Sequence, residues 1–145
     1  MSSYNINVFV SHAWSYSEVY NTLEQWIFNE SWSVDGVPIN FKDYSIPKHN
    51  PIHNARTEKE LQDAIFNEIY KSHVIVIPTG MYSTYSRWIQ KEINGAKGWS
   101  KPILAVNPRG QERTSGVVVD NADEHVGWTK KSVIDGIWNL YRSNY

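Results

Sequence analysis

Short apolar runs alternate with amphipathic segments along the whole chain. Runs rich in β-branched and aromatic residues predict short buried strands, and segments with apolar residues three and four positions apart predict helices. The predicted strands lie at 5–10, 37–41, 73–77, 102–106 and near 125–126. The predicted helices lie at 17–28, 57–69, 86–97, 115–122 and 129–141.

This strict alternation of strand and helix predicts an α/β fold with a parallel sheet, because parallel neighbours need a crossover and the crossover is right-handed. The simplest arrangement is a flavodoxin-like, doubly wound parallel sheet of five strands with helices on both faces. A chain of 145 residues has room for one core of ordinary size, so we expect a single domain over residues 1–145.

Composition excludes several classes of partner. Lys and Arg number 14 against 15 Asp and Glu, and the net charge of -1 favours neither a nucleic acid nor a membrane surface. The chain has no cysteine and its first residues do not read as a secretion signal, so we expect a cytoplasmic protein. The 7 Trp and 9 Tyr residues are many for this length, and such rings require either a core or a ligand to stack on.

Candidate chemistry is expected where the strands end, because open parallel sheets bind ligands beyond the carboxyl ends of their strands. Ser11 and His12 follow the first predicted strand, and Asp43 and Ser45 follow the second. The segment 43–56 is long and has no clear period, which makes it a functional candidate. The loop after the first strand contains no glycine, which argues against a phosphate cradle there.

The third predicted helix places a carboxylate beside an indole. Ile89, Ile93 and Ala96 form a stripe that can pack on the sheet. Trp88 and Glu92 lie four residues apart on a neighbouring face. A partly desolvated Glu can grip sugar hydroxyls or stabilise a developing cation, and the indole can stack on a planar base. Spacing alone also allows the commoner arrangement, in which Trp88 anchors the helix and Glu92 is a surface carboxylate.

A family resemblance rests on these residues. The stretch 86–93, SRWIQKEI, resembles the third-helix signature of Toll/interleukin-1 receptor (TIR) domains, in which a Trp precedes the catalytic Glu by four residues. Residues 8–12, VFVSH, look like the first-strand motif of that family. Residues 41–49, 81–86 and 108–112 are similar to the bacterial TIR-like group that includes the TIR proteins of Thoeris anti-phage defence. The resemblance covers nearly the whole chain.

The resemblance implies an enzyme that cleaves the bond between nicotinamide and ribose in NAD+, which is then a substrate rather than a cofactor. It implies that Glu92 is catalytic and that Trp88 shapes the pocket for nicotinamide and ribose. Because they follow the ends of the first two strands, Ser11, His12, Asp43 and Ser45 are expected to line the rest of that pocket. It further implies a cyclic ADP-ribose isomer as product, an immune signal that acts on a separate effector protein. Activity in such enzymes commonly needs assembly into a homo-oligomer.

Other functions stay open at this point. A non-enzymatic TIR module would self-associate through the 43–56 loop, and a nucleoside deoxyribosyltransferase-like enzyme would use its Glu as nucleophile on deoxynucleosides. A metal site is not expected, because Pro51 separates His49 from His53 and no further ligand stands at a suitable spacing.

Overall fold

The computed structural model of the chain describes residues 3–11, 18–45, 58–79, 82–108 and 116–145. The strands within these ranges are β1 (Tyr4–Val10), β2 (Trp32–Val34), β3 (Val37–Asp43), β4 (Val74–Pro78), β5 (Ile103–Val106) and β6 (Glu124–Val126). The helices are α1 (Glu18–Phe28), α2 (Glu58–Lys71), α3 (Tyr82–Gly98), α4 (Gly116–Asn121) and α5 (Lys130–Asn144).

The strands form one sheet in the order β2-β3-β1-β4-β5-β6. From β3 to β6 every neighbouring pair is parallel. The chain runs outward from β1 to β3 and then returns to add β4 on the other side of β1, which is the doubly wound arrangement. The predicted α/β, flavodoxin-like fold is therefore confirmed.

The predicted number of strands is wrong, because the sheet described here has six strands and not five. The missed strand is β2, which pairs with β3 in an antiparallel hairpin. Asp35 and Gly36 form its two-residue turn with φ values of 49° and 78°. An Asp-Gly pair between apolar segments is a strong hairpin signal, because that turn needs two residues with positive φ.

Several predicted boundaries also move. Strand β3 continues to Asp43, which we expected to begin an irregular loop. Helix α3 begins at Tyr82 rather than at residue 86. Helix α5 follows Thr129, whose hydroxyl caps it by accepting a hydrogen bond from the Ser132 backbone N–H. None of the helices in the described ranges is long and apolar enough to span a membrane.

The central strands are buried on both faces, as their unbroken apolar runs predict. Val74 and Val76 of β4 pack in one core with α1 and α5, whereas Ile75 and Ile77 pack in a second core with α2 and α3. The second core also holds the α3 stripe of Ile89, Ile93 and Ala96, which confirms the predicted buried face of that helix. This packing fixes the rotation of α3 about its axis, and with it the direction of every polar residue on the helix.

Candidate active site

Ser11 and Glu92 meet at the carboxyl end of β1. The Ser11 backbone N–H donates to the carbonyl oxygen of Val76 at 2.9 Å, which holds the residue against β4. Its hydroxyl donates to Oε1 of Glu92 at 2.6 Å, and neither side chain is exposed. Glu92 therefore points inward, and the alternative in which it is a surface carboxylate is wrong.

A carboxylate in this position is costly to the fold. Moving a carboxylate out of water is unfavourable unless hydrogen bonds or opposite charges compensate it. The bond from the Ser11 hydroxyl is short and charge-assisted, so it recovers part of that cost. The apolar burial of Ile89 and Ile93 on the same helix holds Glu92 in place. A buried carboxylate that lowers the stability of the fold is typical of functional sites.

Asp43 and Ser45 lie beside the same strand end. The Ser45 hydroxyl accepts a hydrogen bond from the Val10 backbone N–H at 2.9 Å. The Ser45 backbone N–H donates to Oδ1 of Asp43, also at 2.9 Å, and the Ser45 side chain is buried. The end of β3 is thus fastened to the end of β1. The Ser45 hydroxyl therefore helps to position the end of β3, and its contact with a substrate stays a prediction.

Tyr20 of α1 completes this group of polar side chains. It is buried, and its hydroxyl is in hydrogen-bond contact with the side chain of Ser45. Burial raises the pKa of Tyr20, the charge of Asp43 raises it further, and the bond to Ser45 opposes both. Desolvation also raises the pKa of Asp43 and outweighs its two bonds with Ser45, although the Asp43 side chain still reaches the surface.

Tyr20 is the residue of this group that the sequence analysis missed. Its position matches the apolar spacing of α1, so the pattern treats it as an ordinary core residue. The residue type does indicate a polar contact, because the hydroxyl of a buried tyrosine needs a hydrogen-bond partner. The sequence does not show which residue supplies that partner.

Trp88 lies one helical turn before Glu92 and is half-buried against the second core. The Nζ atom of Lys91 is 5.8 Å from the centroid of its ring. The structure therefore brings Ser11 into contact with Glu92 and Ser45 into contact with Val10. Asp43 contacts Ser45, and Trp88 lies on the helix that carries Glu92. His12 and most of the 43–56 loop lie outside the described residues.

Metal binding has no support in the described ranges, where no three His, Cys, Asp or Glu side chains converge on one point. His49 and His53 lie outside those ranges. The arrangement that the structure does describe is a buried carboxylate, oriented by a serine hydroxyl, at the carboxyl ends of two parallel strands. Its chemical capacity is to stabilise positive charge that develops on a bound molecule.

Comparison with known proteins identifies the family. A search of curated proteins finds no match. The family model described as Thoeris protein ThsB, TIR-like domain, matches residues 9–113, which is most of the chain. The matched segment contains Ser11, Asp43, Ser45, Trp88 and Glu92. On this match and on the confirmed fold, the chain belongs to the TIR-like domain family of the Thoeris protein ThsB.

Proposed function

We propose that this protein is a TIR-type NAD+ nucleosidase or cyclase that cleaves the nicotinamide-ribose bond and signals in anti-phage defence. The observation that carries the proposal is the fully buried Glu92 carboxylate, held at 2.6 Å by the Ser11 hydroxyl at the carboxyl end of β1. Family membership supports a TIR-like defence module. The step from that module to a specific reaction rests on the chemistry of the carboxylate.

The proposed reaction breaks the bond between C1′ of the ribose and the nicotinamide nitrogen. Nicotinamide leaves as a neutral base with the bonding electron pair, so no general acid is needed to protonate it. Positive charge then develops on the ribose as an oxocarbenium ion, which a nearby carboxylate stabilises. That stabilisation is strongest where water is excluded, and Glu92 is 0% exposed.

The second half of the reaction decides the product. If water attacks C1′, the products are ADP-ribose and a proton. If a nucleophile within the same molecule attacks C1′, a cyclic ADP-ribose isomer forms. We propose the cyclic isomer as the product and a separate effector protein as its target.

The neighbouring residues have supporting roles in this proposal. Trp88 shapes the pocket for nicotinamide and ribose, and Asp43 and His12 line its remaining wall. Ser11 orients the carboxylate of Glu92 through their hydrogen bond. Ser45 and Tyr20 keep the end of β3 fastened to β1. We further propose a single cytoplasmic domain that is active as a homo-oligomer and needs no resident cofactor or metal.

The test compares NAD+ consumption by the wild type, by Glu92→Gln and by Glu124→Gln. The first variant keeps the shape of the side chain and removes its charge, and the second makes the same change on the edge strand β6. We expect Glu92→Gln to lower the rate by about 10²- to 10³-fold, as for the loss of one electrostatic group in an active site. Glu124→Gln should match the wild type.

Mass-resolved chromatography of the products separates ADP-ribose from a cyclic isomer. Each protein is incubated with NAD+ at high concentration, and lysates of phage-challenged cells that express each one are analysed beside it. Unfolding curves check that both variants are folded. Intact NAD+ in every wild-type sample, or an equal rate in Glu92→Gln, would overturn the proposal and favour a module that acts by self-association.

A further inference from the structure

Exposed aromatic side chains gather at the amino end of the sheet. Among the described residues, the large apolar side chains that are exposed are Tyr4 (36%), Tyr70 (55%), Trp99 (51%) and Tyr145 (56%). Tyr4 begins β1, and the other three residues lie at the ends of helices α2, α3 and α5, which return to the amino end of the sheet. Glu92 and Ser11 lie at the opposite end. Tyr4 and Tyr145 line one surface cleft, and Tyr70 and Trp99 line another. Neighbouring exposed apolar groups of this kind are typical of binding surfaces.

The last helix supplies a row of rings at this end. Trp138, Tyr141 and Tyr145 are three and four residues apart, so they lie on one face of the helix. We call them the aromatic row. Trp138 stacks on Tyr141 with ring centroids 6.0 Å apart, and Tyr141 stacks on Tyr145 at 5.4 Å. Tyr4 of β1 meets Trp138 edge-on at 4.8 Å.

Histidine and backbone contacts hold the aromatic row in place. The Tyr145 hydroxyl donates to the backbone carbonyl of His73 at 2.9 Å. The His73 ring meets the rings of Tyr141 and Tyr145 edge-on, at 5.2 and 5.0 Å. Nδ1 of His73 in turn accepts a hydrogen bond from the Asn7 backbone N–H at 2.8 Å. The row is therefore organised before any ligand binds, which lowers the entropy cost of binding.

A cleft of about 430 Å³ opens beside the aromatic row. Its walls include Tyr4, the three rings of the row, Asp35 and Arg142. This volume lies in the range of small-molecule sites. The Arg142 side chain is exposed and lines the cleft. Asp35, on the turn between β2 and β3, also lines the cleft.

We propose that this cleft binds a small molecule in which a planar aromatic ring is joined to an anionic group, of the size of a mononucleotide. The ring stacks on the aromatic row, as bases do on aromatic side chains. The guanidinium of Arg142 binds the anion through paired N–H donors. The carboxylate of Asp35 accepts hydrogen bonds from amino or hydroxyl groups of the ligand.

A small ligand fits this surface better than a nucleic-acid strand does. The chain has a net charge of -1, and strand binding requires many cationic contacts with phosphates. The cleft has a single cation, Arg142, among its named walls. The site is separate from Glu92, so this inference does not depend on the proposed NAD+ chemistry.

The test titrates the protein with adenosine monophosphate, using isothermal calorimetry and the indole N–H signals in NMR spectra. Adenosine and ribose 5-phosphate are titrated separately, because each carries half of the proposed chemistry. We expect saturable binding of the monophosphate, weaker binding of either half, and a shift of the Trp138 indole signal. Arg142→Gln should weaken binding at least about tenfold, the loss expected for a charged hydrogen bond.

Matched variants separate this cleft from other sites. Lys131→Gln removes a positive charge from the same helix at its other end, where Lys131 pairs with Asp135, and should leave binding unchanged. Glu92→Gln should also leave it unchanged. The proposal fails if adenosine monophosphate does not bind, if Arg142→Gln binds it as the wild type does, or if Glu92→Gln abolishes binding. It also fails if the cleft is closed by a second copy, seen as a dimer in sedimentation that Arg142→Gln or Tyr145→Ala dissociates.

Discussion

The two ends of the sheet differ in what they bury and what they expose. At the carboxyl end, polar groups are buried: Glu92 and Ser11 are 0% exposed and Ser45 is 5% exposed. At the amino end, apolar rings are exposed, and Tyr145 keeps 56% of its surface in contact with solvent. Each arrangement opposes the general tendency to bury apolar groups and to expose polar ones.

The comparison shows how two cores, one on each face of the sheet, can support two unfavourable surfaces. Both faces of the central strands are covered by helices, so the middle of the molecule supplies apolar burial on each side of the sheet. The strand ends contribute less to that burial, and their residues are therefore available for binding. At the carboxyl end the hydrogen bonds of Ser11 and Ser45 compensate the buried polar groups. At the amino end, ring stacking offsets only part of the free-energy cost of exposing apolar surface to water.

The largest effect on this comparison is expected from Ser11→Ala. The change removes the hydroxyl that donates to Glu92 and leaves a buried carboxylate with one donor fewer. We expect the free energy of unfolding to fall by about 1–3 kcal/mol. Urea unfolding measures it. Ser33→Ala, at an exposed serine of β2, is the control and should stay within about 0.5 kcal/mol of the wild type. Equal stability of the two variants would mean that the Ser11 bond does not compensate the buried charge.

A smaller loss is expected from Tyr20→Phe. This variant keeps the buried ring and removes only the hydroxyl that contacts Ser45. We expect a loss of about 0.5–1.5 kcal/mol, the range for one hydrogen bond. The matched change Tyr70→Phe at the amino end affects a ring that is 55% exposed and should cost less. If Tyr70→Phe lowered the free energy of unfolding more than Tyr20→Phe does, the proposed difference between the two ends of the sheet would be contradicted.

The smallest effect concerns His73 and depends on pH. Desolvation, with a further contribution from Lys101, lowers the pKa of His73 below its ordinary value of 6.5. As the pH falls below 6.5, His73 binds a proton in the unfolded chain more readily than in the folded protein. The contribution of His73 to the free energy of unfolding is therefore present above pH 6.5 and is lost on acidification. Each unit of pKa difference corresponds to about 1.4 kcal/mol.

Free energies of unfolding measured across this pH range test the assignment. His73→Gln should lose the pH-dependent component, whereas His125→Gln, at an exposed histidine of β6, should retain it. Asp43 at the carboxyl end has the opposite sign. Its pKa is raised, so its contribution is present at low pH and is lost as the pH rises through the raised value. Acidification therefore reduces the contribution of His73 to the free energy of unfolding, whereas a rise in pH reduces that of Asp43.

Much of the fold could be predicted because its signals are local. The period-2 and helical patterns predicted five of the strands and all five helices of the described ranges, and they predicted the α/β order. Strand β2 was missed because only three residues form it and its pairing with β3 stabilises it. The Asp-Gly turn that precedes β3 was the one local sign of that pairing.

Less of the candidate site could be predicted. Spacing placed Glu92 beside the buried stripe of α3, but whether it faced the core or the solvent depended on how α3 packs against the sheet. Ser45 stays a predicted substrate contact from its place after β3, but the sequence did not predict that its hydroxyl accepts a hydrogen bond from the Val10 backbone N–H. That contact depends on the pairing of β1 with β3, which no local sequence pattern predicts.

The sequence by itself determined the strands and helices with strong periodicity, the doubly wound order, and the spacing that places Trp88 and Glu92 on one helix. These follow from side-chain patterns within a few residues of each other. Only the tertiary structure decided that Ser11 reaches Glu92 across 81 residues, that Tyr20 meets Ser45, and that Tyr4 and His73 join the aromatic row. Those contacts arise when packing on both faces of the sheet brings distant segments together, and no local pattern encodes the distance between them.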